Sequence, residues 1–511
     1  GDRYSNIEMN SMPLPSPDPT KRVVPLDIFP SGVISSMKVQ KSATPDIPSS
    51  FGGGYVDIRT KDSSKEDYLK ISLEAKGNSN TGKEVDSHQG GSSDWTGYDN
   101  GYRKIDQSIL DAIEVVLGER IKGFTTDYYT KDEIANFTKA FANRDYEVTQ
   151  KALPYGGKVA LEGAINFEVA DDHKITLFGN YEYGQENKYR EESYAKYDFD
   201  LASGALKPNP TQEGIISRTT TEYVNSGIFN IGYNYLDVFK IKYTKLYTHN
   251  ADATTRVVDG TLGSNDDTVL KYYLNWEERT LDADQISGQF DYSVFDLENN
   301  FRFGYEHAKA TLYQPNNYEY AYTYDDQNNR YFFNTKDFYP FGTNLESTDD
   351  LTAFYINNKI NFDLLSEDDY LDIGYSSSFK ERISRLNRYA LKRNQYTGGN
   401  GFDYDNDLVN PNVDAIYDEH VSADVSFEDR ILLINSVYLP ADYFDAEVSD
   451  ANMYAQAFIK PMDSMEILFG ARQVNFSQVV YQYKEDRVNP GRLMQRIPEE
   501  LTLNKLYPSL S

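Results

Sequence analysis

Beyond residue 62, apolar and polar positions alternate with a period of two, as strands do when only one face is apolar. Residues 158–168 set Val159, Leu161, Gly163, Ile165 and Phe167 on one face and Ala160, Glu162, Ala164, Asn166 and Glu168 on the other. After a polar turn at Asp171-Asp172, Ile175, Leu177, Gly179, Tyr181 and Tyr183 alternate with Thr176, Phe178, Asn180 and Glu182. The alternation returns around 229–235, 239–243, 286–292, 301–305, 354–362 and 371–375. Connections between these runs are short and long by turns. Short ones fall near 171–172, 236–238, 296–300, 366–369 and 460–464, and polar stretches at 78–153, 186–218, 249–283, 314–349 and 384–448 form the others. When every second connection is long, all the long ones leave from the same rim. Short turns at one end and long loops at the other predict an antiparallel transmembrane β-barrel.

A soluble β-sandwich also alternates, but its strands are usually about 5–6 residues long. Several runs here pass well beyond that and carry Glu, Asn, Lys and Thr throughout their second face. Composition agrees with a barrel. Hydrophobic residues make up only 39% of the 511, and aromatics 14%, with 43 Tyr and 27 Phe against 2 Trp. No run approaches the ~18 apolar residues of a membrane-spanning helix. There is no cysteine, which excludes a disulfide scaffold and thiolate metal sites. The net charge of −29 excludes the basic face that a nucleic-acid partner would require. That charge is unevenly spread: residues 1–61 hold seven Lys/Arg against six Asp/Glu, so the acidity lies in the remainder.

The first 61 residues read differently, with short strands and Pro-rich turns. Asn10-Ser11 makes a turn after one strand, and the Pro-rich Met12, Pro13, Leu14, Pro15, Ser16, Pro17 and Asp18 follow. A helix is expected next, leading into Ile34-Ser35-Ser36-Met37-Lys38-Val39-Gln40-Lys41. The segment closes with Gly52, Gly53 and Gly54 before Tyr55-Val56-Asp57-Ile58-Arg59-Thr60-Lys61. This order resembles the second half of the plug domain of TonB-dependent outer-membrane transporters. Downstream, 95–103 (WTGYDNGYR) is similar to an element after the first barrel strand in one branch of that family. Phe469-Gly470-Ala471-Arg472 is similar to its recurring G-x-R strand, and Pro508-Ser509-Leu510 to a later strand opening. Two positions depart from the pattern: Ser11 stands in place of a turn glycine, and Val474 where the family often carries Glu.

The resemblance implies a β fold in two parts. Residues 1–62 would be the C-terminal part of a small α/β plug, and 63–511 the N-terminal part of the barrel with long extracellular loops. The family barrel has about 22 strands, and only about half can be placed here. The expectation is therefore an incomplete, open wall of about 11–12 strands, with the rest of the plug and the TonB box outside this sequence. Within the plug, the triple glycine together with Thr60 and Lys61 would let the backbone pack tightly inside the wall, where a Cβ would collide or force an unfavourable φ.

Candidate chemistry is sparse. The five histidines, His88, His173, His249, His307 and His420, are scattered without H-E-x-x-H or i, i+4 spacing, and no G-x-S-x-G occurs. No enzyme is indicated, and no cofactor. Asp403, Asp405 and Asp407 open like a calcium loop, but Leu408 stands where the turn needs glycine and Asp414 where a bidentate Glu is needed; a solvated acidic loop is the better account of them. Lys38, Lys41, Arg59 and Lys61 of the plug are candidates to pair with wall carboxylates such as Glu162, Glu168 and Glu182.

What the resemblance implies about function is energy-coupled import through the outer membrane of a Gram-negative bacterium, in contact with lipid and lipopolysaccharide. TonB, with ExbB and ExbD, would act on the plug. A scarce small or oligomeric ligand (siderophore, cobalamin, glycan or peptide) would meet the plug at residues 12–18, and a surface lipoprotein is an admissible companion. The alternatives are a passive porin or adhesin barrel and a soluble β-rich glycan-binding protein.

Overall fold

The computed structural model describes all residues except 1–4, 22–23, 30–31, 49–53, 62–65, 114–122, 143, 201–203, 208–209, 264–266, 363, 396–407, 423–424, 438, 440–441, 463, 486–487, 489–492, 496–497 and 511. Strands β1 (Ser5–Met9), β2 (Ile34–Gln40) and β3 (Gly54–Thr60) make a small mixed sheet. Its central strand β3 runs parallel to β1, with Ile7 beside Val56, and antiparallel to β2, with Val39 beside Val56. At the end of β1 the chain doubles back over Asn10-Ser11, bringing Met12 opposite Met9, with φ of 53° and 67°. Two positive φ values are what a tight hairpin turn needs, and Asn bears them better than most residues. Gly54 has φ +151°, and a Cβ there would meet nothing nearer than the Gln40 carbonyl at 3.8 Å. Its glycine is thus demanded by the backbone angle and not by collision with the wall. Gly52 and Gly53 lie outside the described residues, and so does the boundary near residue 62. The helix expected before Ile34 is, among the described residues, only a three-residue 3-10 turn at Leu26–Ile28.

The second sheet has fifteen strands, of which three are short ribbons in the loops and twelve follow one another in chain order. These are β4 (Tyr68–Lys76), β5 (Gly156–Ala170), β6 (His173–Lys196), β7 (Gln212–Tyr235), β8 (Phe239–Leu262) and β9 (Asp267–Val294). There follow β10 (Leu297–Asp325), β11 (Phe341–Asn361), β12 (Tyr370–Arg393), β13 (Tyr443–Met462), β14 (Met465–Glu485) and β15 (Glu499–Leu510). Each pairs antiparallel with the next; among the described residues β4 and β15 have one neighbour apiece, so the wall is open. The tight turns at one end are made by non-glycine residues in the left-handed region: Asp172, Leu236 and Asp237, Phe295 and Asp296.

Register follows the apolar pattern. On β6 the Tyr181 side is 51% exposed while neighbouring Glu182 is 3% exposed. Outward-facing Ile71, Leu161, Ile165, Phe229, Ile231, Ile286, Phe354, Ile356 and Phe469 form an exposed apolar band around the wall. The inner face is less uniformly polar than the alternation suggests. Ala164, Phe178, Ile228, Leu246, Leu281, Ala283, Ala308 and Ala310 pack there against Ile7, Met9, Ile28, Phe29, Val33 and Ile58 of the small sheet. Alanines on adjacent strands leave room for the plug sheet to approach closely, and their burial beneath it is the apolar part of the contact.

The strands are much longer than the pattern predicts. β9 and β10 have 28 and 29 residues, where about 9–11 cross a bilayer. The stretches expected as loops at 186–218, 249–283 and 314–349 are largely paired ladder, with Arg190 opposite Arg218 and Thr254 opposite Asn275. Once outside a membrane neither face of a strand has to be apolar, so these extensions carry no period-two signal. Above the rim the long connections carry helices among their described residues. The 77–155 loop contains α1 (Gln107–Ala112) and α2 (Lys131–Ala142), and the 394–442 loop contains α3 (Val413–His420). Thr130 and Glu133 exchange side-chain-to-backbone hydrogen bonds at the start of α2, a capping box. One face of α2 then joins Tyr146, Tyr318, Phe333, Tyr389, Ile416, Tyr417 and Ile434 in a buried aromatic cap.

Candidate functional site

Contacts between the small sheet and the wall extend from β5 to β15, which requires the wall to curve around it. Lys61 Nζ lies 2.7 Å from Glu162 on β5, and the Lys61 carbonyl accepts from Asn230 on β7 at 2.7 Å. Asn10 Nδ2 donates to Gln285 on β9 at 2.9 Å, and Gln285 Nε2 donates to the Met9 carbonyl at 3.1 Å. Thr60 donates its N–H to Asn10 Oδ1 at 3.1 Å, tying the end of β3 to the same turn. Arg472 on β14 reaches the Pro45 carbonyl at 3.1 Å, and Ser509 on β15 the Ala43 carbonyl at 3.3 Å.

Of the predicted plug-to-wall ion pairs, the structure brings Lys61 and Glu162 together. Glu182 is held instead by Lys158 of the wall at 2.7 Å, and Arg59 by Asp57 within the plug. Among the described residues Lys38 and Lys41 have no carboxylate within ion-pair distance, and Glu168 none either. β2 is an edge strand of the small sheet with most of its residues exposed, so Lys38 is left in solvent and not brought against a wall carboxylate. Val474, where the family pattern has Glu, is buried, and the nearby Arg472 donates through Nη1 to plug carbonyls that no side-chain pattern could announce.

Residues 12–18 are clamped more than presented. Met12, Leu14, Pro15, Ser16 and Pro17 are buried, leaving Pro13 and Asp18 partly accessible. Ser16 N–H donates to Asp349 on β11 at 2.8 Å, while Lys380 and Arg382 on β12 donate to the carbonyls of Leu14 and Ser16, each at 3.3 Å. Arg382 also pairs with Asp349 at 2.7 Å. Beside this clamp is a cavity of about 670 Å³ between plug and wall, lined by Pro13, Lys38, Arg59, Asp372, Lys380 and Arg472 among others. Glu8, on its plug side, accepts from the Tyr55 hydroxyl at 2.7 Å. Burial pushes the Glu8 carboxyl up to about 7, against the lowering effect of the Tyr55 hydrogen bond.

A second constellation lies on the strand extensions, on the sheet face opposite the plug: the 94–103 segment folds on itself against Tyr247 and His249, which share the face of Tyr243 and not that of Leu246. Arg103 Nη1 donates to Asp94 at 2.8 Å and to Asp99 at 3.2 Å, and its guanidinium lies 4.1 Å from the Trp276 ring centroid. Asp99 also receives the N–H groups of Gly101 and Arg103, an Asx-type turn with Gly101 at φ +95°. Gly97, at φ +81°, offers its carbonyl to His249 Nε2 at 2.7 Å. Tyr98 stacks on His249 at 3.9 Å and shares a 2.7 Å hydrogen bond with Tyr247. Glu278 receives both the Asp99 N–H and the Trp276 indole N–H, at 2.7 and 2.8 Å. The aspartates, glycines and arginine of this motif thus build one knot docked on β8 and β9. A cavity of about 530 Å³ lies between the knot and the strand extensions.

Of the four candidate ligands in the acidic loop, only Asp414 lies among the described residues. Asp403, Asp405 and Asp407 lie outside the described residues. Asp414 caps backbone instead, accepting from the N–H groups of Tyr146 at 2.7 Å and Glu147 at 3.0 Å. Leu408 is buried in the aromatic cap. Among the described residues no three metal-ligating side chains come together.

No protein-family model matches the chain, and no curated protein is matched in sequence. Among solved structures it is similar to the unliganded ferric citrate transporter FecA (7% identity over 94% of this chain, TM-score 0.27). It is similar to BauA, the ferric preacinetobactin receptor from Acinetobacter baumannii (9% identity, 99% of this chain and 70% of that one, TM-score 0.25). A third is the siderophore receptor PiuA from the same organism (9% identity, 96% of this chain and 74% of that one, TM-score 0.30). The chain spans 65% of the length of FecA. With TM-scores of 0.30 or less, no property of those proteins is transferred to this one.

Proposed function

We propose that this chain is the plug-and-wall portion of a TonB-dependent outer-membrane transporter, importing a scarce ligand at the expense of energy delivered from the periplasm. The observation that carries the reading is the small sheet seated on the inner face of a membrane-length antiparallel wall. It is held by contacts such as Lys61–Glu162 and Asn10–Gln285 in addition to an apolar layer. A passive pore or an adhesin has no need of a separate sheet filling its lumen. A soluble glycan-binding protein has no need of an outward apolar band; large exposed patches of that kind mark a membrane or partner surface.

In this reading the tight-turn end faces the periplasm and the capped end faces outside. The ligand enters from the capped end and meets the plug beside residues 12–18. TonB, working with ExbB and ExbD, draws the plug from below and opens a path through the 670 Å³ cavity. Neither a cofactor nor catalysis is required. The lipid face lies within the outer membrane of a Gram-negative cell, and lipopolysaccharide surrounds the strand extensions.

The test is uptake by cells carrying the full-length gene. Import that stops on deletion of TonB or on collapse of the proton gradient supports the reading; import indifferent to both removes it.

A further inference from the structure

The outward apolar band ends in aromatic residues, and the 77–155 loop meets the wall along that same line. We propose that this loop lies on the outer leaflet of the membrane, with the Trp95 indole and the Tyr155 ring set among the lipid headgroups. Such a seat exists only where the wall spans a bilayer, so it rests on the membrane part of the transport reading. The partner is the lipid surface and not the transported ligand.

The strands fix the height of the border. On β6 the outward apolar run that begins at Ile175 closes with Tyr181 and Tyr183, and Gln185 and Asn187 follow on the same face. On β8 Phe239, Ile241 and Tyr243 give way to Lys245 and then Tyr247. Because barrel strands are tilted, the border runs obliquely from one strand to the next, and Tyr183 and Tyr247 both stand at it. Aromatic residues girdle membrane barrels at this height, with the ring at the edge of the acyl chains and the polar group among the headgroups.

The loop touches the wall at these two tyrosines. The Tyr183 hydroxyl donates to the Trp95 carbonyl, and Tyr98 shares a 2.7 Å hydrogen bond with Tyr247. Trp95 is therefore held at the border, and it is 64% exposed. A second open ring stands where the loop rejoins the wall. Tyr155, immediately before β5, is 76% exposed, and a Cβ on Gly77, immediately after β4, would come within 3.1 Å of its ring.

The same segment closes its charges on one another, with Arg103 between Asp94 and Asp99, and it covers the wall's Trp276 to 1% exposure. A knot that hides one indole so fully leaves the other open only where water is not the neighbour. In water the two open rings would order solvent without return. At the border they continue the apolar surface that the wall already presents to lipid, and indole and phenol are the side chains with one apolar and one wet end. Two such rings on one loop fix the depth at which this side of the wall rides in the bilayer.

The test uses the full-length protein in phosphatidylcholine bilayers, with and without bromine near the top of the acyl chains. Trp95 emission is taken as the difference between the wild-type protein and Trp95→Phe, so that every other tryptophan drops out. Brominated lipid should remove most of this difference signal, and iodide in the water little of it. A nitroxide on Tyr155→Cys should show a higher ratio of oxygen to nickel-chelate accessibility than one on Lys151→Cys, an exposed position in the same loop. Iodide quenching of Trp95, quenching by neither agent, or an equal ratio at 155 and 151 would overturn the assignment. A nitroxide on Ile231→Cys separates this claim from the reading it rests on. Lipid contact at 231 with Trp95 in water refutes the loop's seat and leaves the transport reading standing. Water contact at 231 refutes the membrane wall, and the seat with it. Lipid contact at both, without energised uptake, refutes transport and leaves the seat in place.

Discussion

Asn10, at the tip of the plug's first strand, donates to Gln285 of the wall at 2.9 Å, and Gln285 donates in turn to the carbonyl of Met9 at 3.1 Å. Two groups of one hairpin are therefore satisfied by a single wall side chain, and all three residues are buried. Replacing Gln285 with Leu leaves the Met9 carbonyl without this donor and Asn10 without this acceptor, at a cost of about 1–3 kcal/mol. Hydrogen exchange should speed up at residues 5–12 and stay unchanged across β6 to β8. Equal loosening of the whole wall would show that the contact supports the barrel and not the seat of the plug.

Plug seating should depend on pH through Glu8. Burial raises its pKa from 4.5 to about 7, with Tyr55, Asp57, Arg472 and Arg59 around it and Glu306 of the wall facing it. The folded chain then keeps a proton that the unfolded chain has released, so stability falls as pH rises between these two values and levels off above about 7. The full effect is on the order of 3 kcal/mol. Denaturant unfolding of the protein in detergent from acid to neutral pH should show that decline, and Glu8→Gln should flatten it. An unchanged slope in the variant would assign the pH dependence to other groups.

The outward register predicts a penalty for charge on the apolar band. Ile231 and Leu177 are directly opposite on β7 and β6, a few residues from the tight turns. Ile231→Arg should cost about 2–4 kcal/mol in a bilayer, as charges at mid-membrane depth do. Asn230→Arg, one residue away, points inward and should perturb the plug instead. Spin labels at 231 and 230 report the faces independently: oxygen-accessible at 231 and shielded at 230. The opposite result would mean the strand is out of register by one residue.

Arg103 should govern whether the 77–155 loop stays docked on the strand extensions. Arg103→Ala removes the common partner of Asp94 and Asp99 and the cation over Trp276. Breaking a buried pair from one side costs about 3–5 kcal/mol. Protease cleavage within 77–155 should become rapid, and Trp276 emission should move to longer wavelength. Arg103→Lys should rescue only in part, because one ammonium cannot reproduce a planar fork shared by two carboxylates. Full rescue by lysine would reduce the knot to simple charge neutralisation.

The wall was legible in the sequence where one strand face meets lipid and the other does not. Tyr181 and Glu182 declare their sides because period-two patterning and a half-apolar environment are the same fact. The turns were legible too, since Asp171-Asp172 and Leu236-Asp237 interrupt that pattern. Strand extensions such as 267–283 were not, because both of their faces meet water or loops and nothing selects alternation. Phe178 and Leu246 read as exceptions on a polar face until the plug is seen against them. The 95–103 segment stood out in the sequence only through its resemblance to a family element. Its docking on Tyr247, His249, Trp276 and Glu278 depends on which strands stand side by side.

The claim that the plug moves during transport is tested most directly by tying it to the wall. Lys61 and Glu162 are in contact at 2.7 Å on opposite sides of the interface, and the chain has no cysteine of its own. Lys61→Cys with Glu162→Cys, in the full-length protein on cells, can be bridged by a short bismaleimide or by a reducible analogue. Surface binding of ligand should persist in the bridged protein while energised uptake stops, and reduction of the cleavable bridge should restore it. Uptake continuing at the unbridged rate with the link intact would contradict the account.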